Sequence, residues 1–184
     1  MIVCKFGGTS VQDAEALTRL AEIIGARRDM QPIVVSSAMG KTTDQLLELA
    51  RTAAQGKRQE ALDLLSKIRD RHIKESQKLG IGPNGGPVIE SIQNCFKEMR
   101  DLVRGLAALG ELTPRIMDAM ASYGERISTT IITELLENHG MPAQLMDSRE
   151  CIITDDNYTR ANPLFDLTEA AIIEHFAPVL KSGR

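Results

Sequence analysis

The chain has 184 residues and a formal net charge of −3 with its basic residues dispersed, which speaks against a nucleic-acid binder or a membrane-surface protein. Aromatic residues make up only 3% and tryptophan is absent, so stacking platforms for bases or sugars are not expected. Neither a signal peptide nor a run of about 18 apolar residues occurs, and the length suits one domain with a sizeable core.

The first ten residues organise the rest. Ile2 to Phe6 are apolar apart from Lys5 and β-prone, which predicts a buried strand. Gly7 and Gly8 end it with residues that turn sharply and let a ligand approach the backbone. Ser10-Val-Gln-Asp13 matches a capping box and predicts the start of a helix carrying Val11, Ala14, Leu17, Ala21 and Ile24 down to Arg28. Backbone amides and a helix N-terminus then converge beside a lysine, an anion site in outline. The bland alternative is a plain turn with Lys5 solvated at a strand end. A lysine within an apolar strand must still place its ammonium somewhere polar, and the turn offers that place.

Pro32-Ile-Val-Val-Ser36 predicts a second strand, buried on both faces in a parallel sheet, which completes a βαβ unit. The small-residue loop from Ser36 to Thr43 then leads into a helix beginning at Asp44. Loops at the carboxyl ends of parallel strands line one crevice, so this loop and the Gly7-Gly8 turn are expected on the same edge. Thr42-x-x-Gln45 also fits a capping box, so the threonines here have a purely structural reading. Gly40-Lys-Thr lacks the upstream glycine of a phosphate-binding P-loop and is not read as one.

Residues 57–110 predict a helical hairpin. One arm carries Ala61, Leu64, Leu65 and Ile68; the other carries Val88, Ile92, Cys95, Met99, Leu102, Leu106 and Leu109. The breaker-rich stretch Gly80–Pro87 separates them. His72 sits among charged residues and is read as a surface side chain, and the hairpin is expected to pack or to meet another subunit without chemistry of its own. Thr113-Pro114 opens a further helix that ends at His139-Gly140. Glu125 falls at the edge of its apolar face, where a carboxylate needs a cation or a hydrogen-bonded site; the alternative is a surface charge cluster with Arg126. Ala143–Met146 is expected as a third strand, Cys151–Thr154 as a short β segment, Asp155–Asn157 as a turn, 165–181 as an amphipathic helix, and Lys181–Arg184 as a turn. Asp147 and Arg160 are read as structural. Cys4, Cys95 and Cys151 are widely spaced and odd in number, which suits reduced cysteines in a cytoplasmic protein.

Lys5-Phe-Gly-Gly-Thr-Ser10 resembles the N-terminal signature of aspartate kinases, in the amino acid kinase superfamily. Ser37, Ala38, Thr43, Asp44, Leu46 and Leu47 match a second pattern of those enzymes. Ser122-Tyr-Gly-Glu125 matches a third, and Tyr158-Thr-Arg-Ala-Asn-Pro163 matches a looser fourth. The resemblance implies a three-layer αβα sandwich with a mainly parallel sheet plus the helical insertion. It implies ATP-dependent phosphorylation of the β-carboxylate of L-aspartate, giving 4-phospho-L-aspartate, the first step of lysine, threonine and methionine biosynthesis. Lys5, Gly7 and Gly8 then face the phosphate, with Lys5 catalytic. Thr9, Ser37, Thr43 and Glu125 face aspartate, Glu125 toward its amino group. Mg²⁺ comes with the nucleotide and no protein metal site is expected. A homo-oligomer is expected, with no nucleic-acid or membrane partner. The family's later nucleotide-binding motifs do not occur, so residues 1–184 read as the amino-terminal, amino-acid-binding half of a catalytic domain, inactive alone. Other readings are an acetylglutamate or glutamate kinase, or a non-catalytic assembly module built on the hairpin.

Overall fold

A computed structural model describes residues 1–82 and 86–182. Strand β1 (Ile2–Phe6) lies parallel to β2 (Pro32–Ser36), in a register that pairs Ile2 with Pro32 and Phe6 with Ser36. Pro32 is tolerated because it opens its strand, where a missing amide costs least. Helix α1 (Ala14–Gly25) connects the two and buries Ala16, Leu17, Leu20, Ala21 and Ile24. Its cap is not the expected one. Gly8–Val11 tightens into a 3-10 turn closed by Ser10 N–H donating to the Gly7 carbonyl at 2.8 Å, and fully buried Val11 anchors that turn. The α-helix therefore starts three residues later, with the Asp13 carboxylate accepting from the Ala16 amide. At its other end it stops at Gly25 rather than Arg28, and Gln31 takes φ +48° to redirect the chain into β2.

Four longer helices follow: α2 (Thr42–Ala54), α3 (Arg58–Lys78), α4 (Pro87–Leu109) and α5 (Pro114–Asn138). The expected hairpin is α3 and α4. Helix α2 lies against α3, α4 and α5, and the core runs through Leu46, Leu49, Leu65, Ile92, Phe96, Met99, Met120, Ile127 and Ile131. Each such side chain is worth about 1.5–3 kcal/mol when fully buried, so the helical interior, and not two paired strands, holds the domain together. Leu109 alone of the expected hairpin face is strongly exposed, because it is the last helical residue before Gly110 turns the chain with φ +71°.

Local stop and start signals account for the helix ends. Thr113 caps α5 by accepting from the Ile116 amide, with Pro114 in the first turn. At the far end Gly140 N–H donates to the Glu137 carbonyl and Met141 N–H to Leu136, the paired closure that a left-handed glycine permits. Gly80 and Ile81 close α3 in the same way through Gln77 and Ser76. Thr42 does not cap α2 as its motif suggests: it is already helical, and its hydroxyl donates to the Met39 carbonyl.

The sheet departs from expectation in two respects. Val3 and Val35 are 63% and 47% exposed, so the face they share is open rather than buried. Ala143–Met146 forms no strand among the described residues. A strand exists only by sharing backbone hydrogen bonds with another, and this segment pairs with neither β1 nor β2. Cys151–Thr154 contributes one antiparallel bridge, Thr154 to Pro163, around a turn in which the Asp155 carboxylate accepts from the Asn157 and Asn162 amides. Asp147 is structural as expected, capping the Ser148–Glu150 turn and pairing with Arg149. The last helical stretch is α6 (Phe165–Ala171), a π-turn at Ile172–Phe176 and α7 (Ala177–Ser182). Phe165, Leu167 and Ile173 on it are 77%, 55% and 63% exposed. Of the expected Lys181–Arg184 turn, Lys181 and Ser182 are helical and 183–184 lie outside the described residues. No described helix is long and apolar enough to cross a membrane.

Candidate active site

Parallel pairing puts the carboxyl ends of β1 and β2 side by side, and the two loops that leave them are laced together. Ser37 N–H donates to the Phe6 carbonyl at 3.0 Å, and Gly40 N–H donates to the Gly8 carbonyl at 2.9 Å. The approach is close enough to dictate a glycine. A Cβ on Gly8 would stand 2.9 Å from the Gly40 oxygen and 3.3 Å from that of Ala38, and backbone atoms cannot step aside. Gly7 is different. Its conformation, φ −78° and ψ 171°, suits any residue, but a Cβ there would lie 3.5 Å from the Lys5 Nζ. The Lys5 ammonium thus folds over the turn, although Lys5 is exposed beside Val3 and Val35 on the open sheet face and burial does not force it there. No carboxylate of the described residues forms an ion pair with it.

Helix α5 supplies the third side. Gly124 packs so tightly on the second loop that a Cβ would meet that of Ala38 at 2.7 Å, with Thr43 Oγ1 at 3.7 Å. One residue on, Glu125 Oε1 accepts from the Ala38 amide at 3.3 Å. One helical turn further, Ser128 donates to the Ser37 carbonyl at 2.8 Å. Glu125 is therefore turned toward the loop and not into a surface cluster. Arg126 points elsewhere, pairing with Glu98 at 3.4 Å and lying 4.6 Å over the Tyr123 ring, whose hydroxyl also donates to Glu98. Burial, then the Glu98 carboxylate, pushes the Tyr123 phenol up from its ordinary range.

Lys5, Gly7, Gly8, Ser37, Thr43 and Glu125 thus gather around one junction of two loops and a helix. Thr9 lies exposed on the 3-10 turn at its rim. Sequence reasoning missed the Ala38 amide and Ser128. The second was findable, three residues after Glu125 and hence on the same side of α5. His72 was misplaced: it is fully buried on α3, its Nδ1 2.7 Å from the Ile68 carbonyl and its ring 6.0 Å from that of Phe96. Burial, only partly offset by that carbonyl and reinforced by the charge of Arg71, lowers its pKa to about 4.

Residues 1–180 match the amino acid kinase family. The chain belongs to that family. It is 33% identical over 165 residues to the chloroplastic aspartokinase 2 of Arabidopsis thaliana, covering 88% of this chain and 29% of that protein. It is 30% identical over 184 residues to the lysine-sensitive aspartokinase 3 of Escherichia coli, covering 100% of this chain and 39% of that protein. The structure of E. coli aspartokinase III in complex with lysine and aspartate superposes with a TM-score of 0.87 at 28% identity, over 99% of this chain and 39% of that one. The same enzyme in complex with aspartate and ADP gives 0.84 at 28% identity, over 100% and 39%. This amino acid kinase chain thus has the α/β fold of those enzymes and spans 29–39% of the length of these relatives.

Proposed function

We propose that this amino acid kinase chain carries the amino-acid-binding side of an aspartate kinase, which transfers the γ-phosphoryl group of ATP to the β-carboxylate of L-aspartate. A carboxylate oxygen forms the new bond to phosphorus, the bond to the β-phosphate oxygen breaks, and ADP leaves with the electron pair. Such a transfer asks for in-line positioning and for positive charge around the moving group. The single observation that carries the reading is the juxtaposition, at one loop junction, of the Lys5 ammonium with the Glu125 carboxylate side of α5.

In this reading Lys5 and the amides after Gly7 and Gly8 face the transferring phosphate. An ammonium without a carboxylate partner among the described residues suits that role. Glu125 takes the free amino group of the acceptor, and Thr43, Ser37 and the exposed Thr9 hold its polar atoms. Among the described residues no three or more acidic, histidine or cysteine side chains are gathered for a metal. Mg²⁺ is assigned to the nucleotide because its usual role is to neutralise charge on the β- and γ-phosphates. The product, 4-phospho-L-aspartate, would open lysine, threonine and methionine biosynthesis. Three free cysteines support a cytoplasmic setting.

The test is hydroxylamine trapping of the acyl phosphate made by the complete reading frame that contains these residues. Hydroxamate formation with ATP and L-aspartate, and none with N-acetylglutamate, is expected, because an acetylated nitrogen gives Glu125 no charge to meet. The reverse preference would favour an acetylglutamate kinase, and no turnover with either would leave only an assembly module. The 184-residue chain alone is expected to yield none.

A further inference from the structure

The face of α3 that carries Arg71, His72 and Glu75 does more than pack. Arg71 Nη2 donates to the Gln12 carbonyl at 2.8 Å, and a Cβ built on Gly40 would stand 2.7 Å from the same nitrogen. One guanidinium therefore touches the segment after the Gly7-Gly8 turn and the tip of the loop from β2. Beside it, His72 must donate from Nδ1, since the Ile68 carbonyl has no proton to give. Its unprotonated Nε2 then lies 3.5 Å from the Thr42 oxygen, whose one proton goes to the Met39 carbonyl to close the loop, so the ring meets this corner by packing and not by a hydrogen bond. One turn on, Glu75 Oε2 accepts from the Ala14 amide at 2.9 Å, while its Oε1 holds Lys78 at 2.7 Å. Ala14 is the first residue of α1, so this carboxylate satisfies an orphan amide and meets the positive end of the helix dipole.

Three neighbouring side chains of one helix thus reach the start of α1, the turn before it and the loop before α2. We propose that Arg71, His72 and Glu75 are positioning residues: a brace by which the helical hairpin sets the distance between the phosphate-side turn and the amino-acid-side loop. The proposal rests on the aspartate kinase reading for its catalytic consequence, while the brace itself rests on the contacts. Its importance follows from the reaction. A transfer with little covalent participation by the protein depends on alignment, and a misplacement of about 1 Å far from the chemistry can lower the rate roughly a hundredfold.

The experiment uses the complete reading frame and two readouts. Arg71→Met keeps the aliphatic stem and removes every donor. It should lower kcat roughly ten- to hundredfold with the KM for ATP changed less than about threefold, and Arg71→Lys, which can still reach the Gln12 carbonyl, should restore most of the rate. Hydrogen exchange followed by mass spectrometry should show faster exchange in peptides covering 8–14 and 38–43, with the α4–α5 core unchanged. Arg104→Leu, which removes an exposed pair with Asp101 on the same hairpin, is the control and should alter neither quantity. Wild-type kcat and wild-type exchange in Arg71→Met would overturn the brace. Accelerated exchange in a protein that phosphorylates no aspartate would support the brace and sink the kinase reading. If Arg71→Met does not fold, Glu75→Gln carries the test through exchange near Ala14, and unchanged protection there overturns the proposal.

Discussion

Lys5 and Glu125 stand on opposite sides of one loop junction, and the division of labour proposed for them makes different kinetic signatures. Glu125→Gln keeps the size and the acceptor that meets the Ala38 amide but removes the charge that would face an ammonium. Losing a charge-assisted contact costs about 1.5–3 kcal/mol, so the KM for aspartate should rise roughly ten- to 150-fold while that for ATP barely moves. Lys5→Met should instead depress kcat, because its charge counts most while the phosphoryl group is in transit. Steady-state kinetics on the complete protein decide it, and matching effects of both changes on both constants would refute the assignment. These two residues were legible in the sequence for a physical reason. A glutamate at the rim of an apolar helical face is costly unless something polar waits for it. Lys5 stood out by breaking the apolar run of β1 just before two glycines, even though its face of the sheet proves to be open. The Ala38 amide left no such trace, because a backbone donor looks alike in every residue.

Among the elements, those governed by local rules were readable and those that need a distant partner were not. Thr113-Pro114 and Gly140 bound α5 where the sequence placed them, since caps and left-handed glycines act within a few residues. Ala143–Met146 failed as a strand because β structure is decided by a neighbour that no short window contains. His72 failed for another reason: charged Arg71, Lys74 and Glu75 mask the fact that it continues the buried line of Leu65 and Ile68 at spacings of three and four. That burial predicts a pH effect. The unfolded chain protonates His72 near pH 6.5, whereas the folded chain holds it neutral down to about 4. Between those values the unfolded state binds more protons, so this contribution is fully present above about pH 6.5 and is lost as the pH falls toward 4. The separation corresponds to about 3 kcal/mol at roughly 1.4 kcal/mol per unit. Urea unfolding of wild type and His72→Gln should show stabilities that converge on going from neutral pH to near pH 4.5. A constant difference across that range would mean that His72 is not held neutral by the fold. The carboxyl groups of Glu75 and Asp147, also held below their usual range, cancel from the comparison because both proteins carry them.

At the scale of the whole molecule, apolar surface is unevenly distributed. The helical core is closed, whereas Val3 and Val35 on the sheet and Phe165, Leu167 and Ile173 on the last helical stretch face solvent. Exposed apolar groups this large, with strand backbone beside them, favour association. The 184-residue chain should therefore sediment as concentration-dependent oligomers, and Phe165→Ser with Ile173→Ser should shift it toward monomer. A wild-type chain that stays monomeric at high protein concentration would count against this. The family and the α/β class were readable because their motifs are contiguous. The open sheet face was not, because a run such as Ile33-Val-Val35 signals a need for burial without saying whether it is met within these residues.

The bonds from α5 to the second loop have a temporal consequence. Ala38 and Glu125 are 87 residues apart in the chain, and Ser37 and Ser128 are 91 apart. On a ribosome, β1, α1 and β2 emerge early and can pair, and the loop after β2 can already bond to the Gly7-Gly8 turn, but its contacts to Glu125 and Ser128 wait until α5 has been made. At about 5–20 residues per second, the wait for those 91 residues is roughly 5–18 s. Throughout it, β2 lacks the helix that packs against it, and the two-stranded sheet is covered on neither edge by another described strand. That is the period in which a chaperone would find this protein, and the junction of the two loops with α5 is completed only when the interval closes.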